Sequence, residues 1–215
     1  MKEADILGYN GHPYNALLNE YEKGANTAML DTIFADVKTA LAPLLQQIES
    51  KPQVNKDFLH LHYDRNKQWE FGIEILKAMG YDMNAGRHPF TTSFNPQDVR
   101  VTTRIDENDF GNMTWSCIHE GGHALYEQGL PVDNYGLPCG EAASLGIHES
   151  QSRLWENNVG RSLPFWQHHY AALQARFPEN LQQVSLDDFY KGINQVKPSL
   201  IRTEADELTY HFHVM

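Results

Sequence analysis

The chain has only two cysteines in 215 residues, Cys117 and Cys139. One possible pair cannot make a disulfide framework, and so few thiols fit a reducing cytoplasm better than a secreted scaffold. Positive charge is also scarce: 17 Lys and Arg stand against 28 Asp and Glu, a formal net charge of -11. Backbone phosphates reward a basic face, so no nucleic-acid partner is expected. No apolar run reaches the roughly 18 residues that a membrane-spanning helix needs, so no membrane partner is expected either. Residues 1–6 lack the apolar core of a signal peptide. At 41% hydrophobic, the chain can bury one substantial core, and 1–215 reads as a single segment with no internal boundary.

The chain does contain His119-Glu120-Gly121-Gly122-His123, an HExxH pattern in a stretch that favours a helix. Positions i and i+4 share one helix face, so both imidazoles can point at one metal ion about 2 Å from each. Glu120, beside the first ligand, can reach a metal-activated water as general base. That is the arrangement of a metal-assisted peptide hydrolase. A chain with 11 histidines and 28 acidic residues can hold such a pattern by accident, so its surroundings must be weighed. Gly121 and Gly122 each cost about 1 kcal/mol against Ala inside a helix, which suggests that a backbone or a substrate passes close by.

Two ligands do not hold a catalytic zinc; the usual set is three protein groups, often two His and one Glu. A turn-rich break over 129–140 lets a second helix, over 141–157, fold back against the first. Glu149 is the expected third ligand, with Glu141 or His148 as fallback. Cys117, two positions before His119, points to another side of its helix and is expected in the core.

The rest of the chain reads mainly as helices. A short helix over 15–22 ends near Gly24. The clearest amphipathic stripe follows, with Leu30, Ile33, Phe34, Val37, Leu41, Leu44, Leu45 and Ile48, and it reads as a packing face that Pro43 kinks or divides. A helix over 64–79 places Phe71, Ile75 and Met79 on one side and stops at Gly80. His60 and His62 are expected at the surface or as satisfied core groups, and His168 and His169 at the surface. Residues 90–105 read as strand, turn, strand. Val99 to Arg104 either forms an edge along which an extended peptide can pair or belongs to a plain hairpin tied by Asp98 and Arg100. Further helices are expected over 165–177 and 186–196. A last one over 203–214 would make Arg202 and Asp206 an i, i+4 surface pair.

Several ordered motifs then carry a family resemblance. His119-Glu120-Gly121-Gly122-His123-Ala124-Leu125-Tyr126 resembles the zinc helix of the carboxypeptidase Taq family. Asp98-Val99-Arg100-Val101-Thr102 is similar to its DxRxT motif, His148-Glu149-Ser150-Gln151 to its HES(T)Q motif, and Ile201-Arg202 with Ala205-Asp206 to its IRxxAD motif. Softer matches include His88-Pro89-Phe90. The resemblance implies a mainly α, neurolysin-like metallopeptidase fold with one small antiparallel β-sheet beside the zinc helix. It implies a zinc-type metallocarboxypeptidase that removes C-terminal residues from peptides bearing a free carboxylate. Its metal, zinc or cobalt, would rest on His119, His123 and Glu149, with Glu120 as general base. It also implies homodimers of the full-length enzyme. Arg202 is the first candidate to hold the substrate carboxylate, with Arg100 and Arg104 behind it and His88 as a further cleft residue. Family members are more than twice this long, so the chain is expected to be a central piece of a longer enzyme. The competing expectations are an endo-acting oligopeptidase, a metal-binding fragment without catalysis, and a helical domain with an incidental HExxH.

Overall fold

Side-chain caps set where the longer helices of this computed structural model begin, at Thr27, Arg65, Phe110 and Leu163; residues 1–83, 91–199, 205–213 and 215 are described. The described residues are mainly helical, with one two-stranded antiparallel sheet. They fall into two compact units, one of Met1–Gln53, Ala143–Ile147 and Val196–Met215, the other of Val54–Ala142 and His148–Gln195.

The first unit holds α1 (Lys2–Leu7), α2 (Tyr14–Tyr21) and α3 (Thr27–Glu49). The Asn26 side chain starts α3 by accepting from the Met29 N–H at 2.9 Å. The helix runs unbroken through Pro43 instead of dividing there. The stripe expected as a packing face contains no buried residue; Ile33 and Leu44 are more than 40% exposed. Near the chain end, α10 (Glu207–Tyr210) starts later than the sequence suggests. The Asp206 carboxylate accepts from the N–H groups of Leu208 and Thr209, both at 3.0 Å, so Asp206 caps the helix and does not lie inside it. Arg202, expected to pair with Asp206 at i, i+4, lies outside the described residues.

In the second unit, α4 (Arg65–Met79) is closed at both ends by its own sequence. The Asp64 carboxylate accepts from Asn66 and Lys67 N–H at 2.9 Å, and Gly80 ends the helix in the left-handed region at φ 97°. Phe71, Ile75 and Met79 are buried on one face, as the spacing requires. Asp109 caps α5 (Phe110–Gln128) in the same way. The two helices pack closely because Gly72 of α4 faces the sulfur atoms of Met113 and Cys117; a Cβ there would lie 3.2 and 3.3 Å from them. Cys117 is buried, and burial first, then the charge of Glu120, pushes its thiol up to about 12. It is a core residue, and both cysteines are free thiols.

Around this pair stand α7 (Leu163–Arg176), α8 (Pro178–Leu181) and α9 (Leu186–Ile193). Their shared core is aromatic. Trp166 is fully buried, with its ring 4.6 Å from Phe189 and its Nε1 donating to Gly160 O at 2.8 Å. Tyr63, also fully buried, meets the rings of Phe110 and Phe177 at 5.0 and 4.9 Å. Burying such side chains contributes about 1.5–3 kcal/mol each, so this cluster anchors α5 from behind.

The sheet is a hairpin of β1 (Thr92–Asn95) and β2 (Asp98–Arg100), paired Thr92 to Arg100 and Ser93 to Val99. The second strand stops at Arg100, shorter than the expected run to 105. The Asp98 carboxylate and the Arg100 guanidinium, two residues apart on β2, form a two-point pair along the strand at 2.7 and 2.8 Å, with Arg100 also lying 4.9 Å over the Phe94 ring. Val99 is fully buried, and the Thr103 hydroxyl donates to Met113 O of α5 at 3.3 Å. The hairpin is thereby held beside the helix that bears the HExxH residues.

Candidate metal centre

His119 and His123 lie one turn apart on α5, their side chains largely but not fully buried. The facing element is α6 (Leu145–Arg153), shorter at its start than the helix read over 141–157. Its approach depends on Gly122. A Cβ at that position would lie 2.7 Å from Ser152 Cα and 2.9 Å from Gln151 O, so only glycine lets the two backbones come this close. Gly121 instead faces the side-chain ends of Leu76 and Met79 of α4. One glycine of the pair thus faces a neighbouring backbone, and the other faces the core.

At that distance Glu149 meets both histidines. Its Oε2 lies 3.6 Å from His119 Nε2 and 3.4 Å from His123 Nε2. One ligand atom from each of the three residues lies within 4.8 Å of the other two, an arrangement that can hold a metal ion. Ligands placed tetrahedrally about 2.0–2.1 Å from zinc would sit roughly 3.3 Å apart, close to the observed separations. Of the two fallback positions, Glu141 is exposed, and His148 turns both ring nitrogens to other partners.

The outer nitrogens of both histidines are occupied. His119 Nδ1 lies 2.9 Å from Glu156 Oε2, and His123 Nδ1 lies 2.6 Å from His148 Nδ1. Glu156 belongs to a π-helical turn, Leu154–Val159, that continues directly from α6 and is closed by Gly160 N–H donating to Trp155 O at 2.7 Å. Arg153 and Arg161 lie 3.1 and 3.5 Å from the Glu156 carboxylate, which keeps this buried group charged. Burial raises the Glu156 pKa, but the hydrogen bond with His119 and the two arginines lower it by more. The Ser152 hydroxyl braces Glu149, donating to its backbone O at 2.8 Å and to Oε2 at 3.3 Å.

The electrostatics favour a cation at this point. Burial lowers the pKa of His119, yet Glu156, Glu149 and Glu120 together hold it above its ordinary value. Burial raises Glu149, but its bond with His123 and the charges of both histidines carry it down to about 2. Two imidazole nitrogens with their outer hydrogens engaged, one ionised carboxylate and further carboxylates nearby form a donor set that fits a divalent metal such as zinc or cobalt. Glu120 is half-buried beside His119, and the Thr91 hydroxyl donates to its Oε2.

Among the other residues singled out from sequence, Arg100 is engaged by Asp98 and Arg104 is exposed. His88 and Arg202 lie outside the described residues. His60, His62 and His168 are exposed, as expected, and His169 is half-exposed with its ring 4.4 Å from that of Phe165. Sequence reasoning missed Thr91, Glu127 and Glu156, and it misjudged the job of His148. Spacing alone could have suggested one of them, since Glu127 is one turn beyond His123.

The whole chain, residues 1–215, matches the family described as carboxypeptidase Taq (M32) metallopeptidase. The thermostable carboxypeptidase 1 of Thermus thermophilus is 47% identical over 211 residues, covering 95% of this chain and 41% of that protein. A solved structure of an M32 carboxypeptidase from Deinococcus radiodurans R1 superposes with a TM-score of 0.93 at 41% identity, covering 98% of this chain and 44% of that one. Another solved chain, called CHT, is 74% identical with a TM-score of 0.95, and 44% of it is covered by the whole of this chain. The chain thus spans less than half the length of each of these relatives. It belongs to the carboxypeptidase Taq (M32) metallopeptidase family.

Proposed function

We propose that this chain carries the metal centre of a carboxypeptidase that removes C-terminal residues from peptides. The observation that carries the reading is the convergence of His119 Nε2, His123 Nε2 and a Glu149 oxygen within 4.8 Å, with both histidines tied from behind. These three residues would hold one divalent metal ion, zinc first and cobalt as an alternative. When bound, such an ion supplies Lewis-acid chemistry, acidifying water and polarising a carbonyl.

The chain's own groups do the rest. Glu120 acts as general base, accepting a proton from water at a carboxylate oxygen and returning it to the leaving amine nitrogen. The Thr91 hydroxyl, donating to Glu120 Oε2, directs proton transfer to the other oxygen, Oε1. Glu149 stays ionised beside the two histidines, and the Nδ1 atoms of both are engaged from behind, which turns each Nε2 toward Glu149 and the metal position. An exopeptidase must also bind the free substrate carboxylate, for which the guanidinium fork is suited. Arg202 is the proposed anchor, with Arg104 next; Arg100 already gives its Nε and Nη2 donors to Asp98. His88 is proposed to line the same cleft. The two free thiols fit a cytoplasmic enzyme, and a homodimer is proposed for the full-length protein.

Because the chain spans 41–44% of its relatives, metal binding without turnover is the second reading. The two are separated by metal content together with hydrolysis of an N-blocked dipeptide, measured for the chain and for Glu120→Gln. Turnover that disappears in Glu120→Gln, with the metal retained, supports the enzyme. Metal without turnover in either protein supports the second reading.

A further inference from the structure

The two histidines of the proposed centre are backed differently. His119 meets a carboxylate directly, whereas His123 meets another histidine, with its Nδ1 2.6 Å from His148 Nδ1. His148 in turn places its Nε2 2.7 Å from Glu127 Oε1. The three residues form a chain, His123–His148–Glu127, that is mostly shielded from solvent: side-chain exposure is 18% for His148 and 16% for Glu127. The Tyr126 ring closes one side, edge-on to His148 at 5.0 Å.

Hydrogen-bond direction along this chain follows from its acceptor end. A carboxylate only accepts, so His148 carries its hydrogen on Nε2 and donates to Glu127. With one hydrogen on each ring, His148 Nδ1 is then a lone pair. At 2.6 Å only one hydrogen fits between the two Nδ1 atoms, so it belongs to His123. His123 Nε2, which faces Glu149 Oε2 at 3.4 Å, is left as the lone pair that a metal requires. Reversing any one of these bonds would place a hydrogen on His123 Nε2 and block it.

We infer that His148, oriented by Glu127, is a positioning residue that fixes the ring form and aim of His123 for metal binding. This rests on the proposed ligand set, and the closing experiment separates the two. Zinc affinity would be measured by chelator competition on the full chain, for the wild type, His148→Ala, His148→Asn, Glu127→Ala and the His148→Asn/Glu127→Ala double variant. Thermal unfolding of each metal-free protein would accompany it.

His148→Ala and Glu127→Ala are expected to weaken zinc binding by about 10- to 100-fold, the usual effect of removing such an outer partner. Asn keeps an acceptor where Nδ1 stands, so His148→Asn should recover most of the loss. Asn no longer reaches Glu127, so adding Glu127→Ala to it should change nothing further. Equal zinc affinity in wild type and His148→Ala would overturn the inference. Equal losses in His148→Ala and His148→Asn, tracking lowered stability of the metal-free proteins, would also overturn it by showing a merely structural role. A full Glu127→Ala loss in the Asn background would overturn the link between the two residues. Absence of zinc from the wild type would sink the ligand set, and this inference with it.

Discussion

Gly122→Ala is expected to damage the centre although it touches no ligand. The added Cβ would lie 2.7 Å from Ser152 Cα, 2.9 Å from Gln151 O and 3.2 Å from Gln151 C. Carbon atoms rest at about 3.5–4.0 Å, so α6 would have to retreat by roughly 1 Å. Metal–ligand distances tolerate only about 0.2 Å, and Glu149 rides on α6 three residues before Ser152, so the metal site should be lost or much weakened. Overpacking costs about 1–3 kcal/mol, against about 1 kcal/mol gained in helix propensity, so the fold should lose up to about 2 kcal/mol. Gly121→Ala provides the control. Its Cβ would meet Leu76 Cδ2 at 2.7 Å and Met79 Cε at 2.9 Å, both ends of flexible side chains that can turn aside. Urea unfolding and zinc titration of both variants provide the assay. Gly122→Ala should lose zinc affinity, and Gly121→Ala should keep it. Wild-type zinc affinity in Gly122→Ala, or equal damage from both, would refute the close-approach argument.

Three further outcomes are expected. Thr91→Val should lower kcat with KM and metal content nearly unchanged, and Thr91→Ser should restore it, since only the hydroxyl to Glu120 is at stake. The Asp98 carboxyl, held below its ordinary 3.8 by the Arg100 hydrogen bond, should titrate below that value by NMR and return toward it in Arg100→Gln. Because its folded pKa is lowered, the stabilisation of the hairpin by this pair is present above 3.8 and fades as the pH falls through the folded value; intact Asp98 titration in Arg100→Gln would contradict the assignment. Zinc at 100 times its dissociation constant should raise unfolding stability by about 2.7 kcal/mol, and a chelator should remove that gain without unfolding the aromatic core.

Much of this was legible where a residue acts on its own helix. Asp64 and Gly80 mark the ends of α4, and the spacing of His119 and His123 states their common face before any packing is known. The meeting of Glu149 with them depends on a long-range approach, hinted at by Gly122 but not specified by it. The π-helical turn over Leu154–Val159 was not legible, because periodicity is read at 3.6 residues per turn and one widened turn leaves no local signal. Glu156 therefore looked like a polar helix residue when it in fact backs His119. His148 was read as a spare ligand because sequence shows that an imidazole is present but not where its two nitrogens point. In α3 the spacing predicts an apolar packing face, yet no residue of the helix is buried, because periodicity marks a stripe without saying whether anything here covers it. Asp206 has a further job that spacing did not announce: its bonds to Leu208 and Thr209 make it a helix cap.

The central claim is that His119, His123 and Glu149 hold one metal ion which Glu120 uses but does not bind. Metal stoichiometry and dipeptide hydrolysis of Glu120→Gln and Glu149→Gln, set beside the wild type, test it most directly. The account predicts one zinc per wild-type chain, one zinc without turnover in Glu120→Gln, and little zinc in Glu149→Gln. Full zinc occupancy in Glu149→Gln, or undiminished hydrolysis in Glu120→Gln, would contradict it.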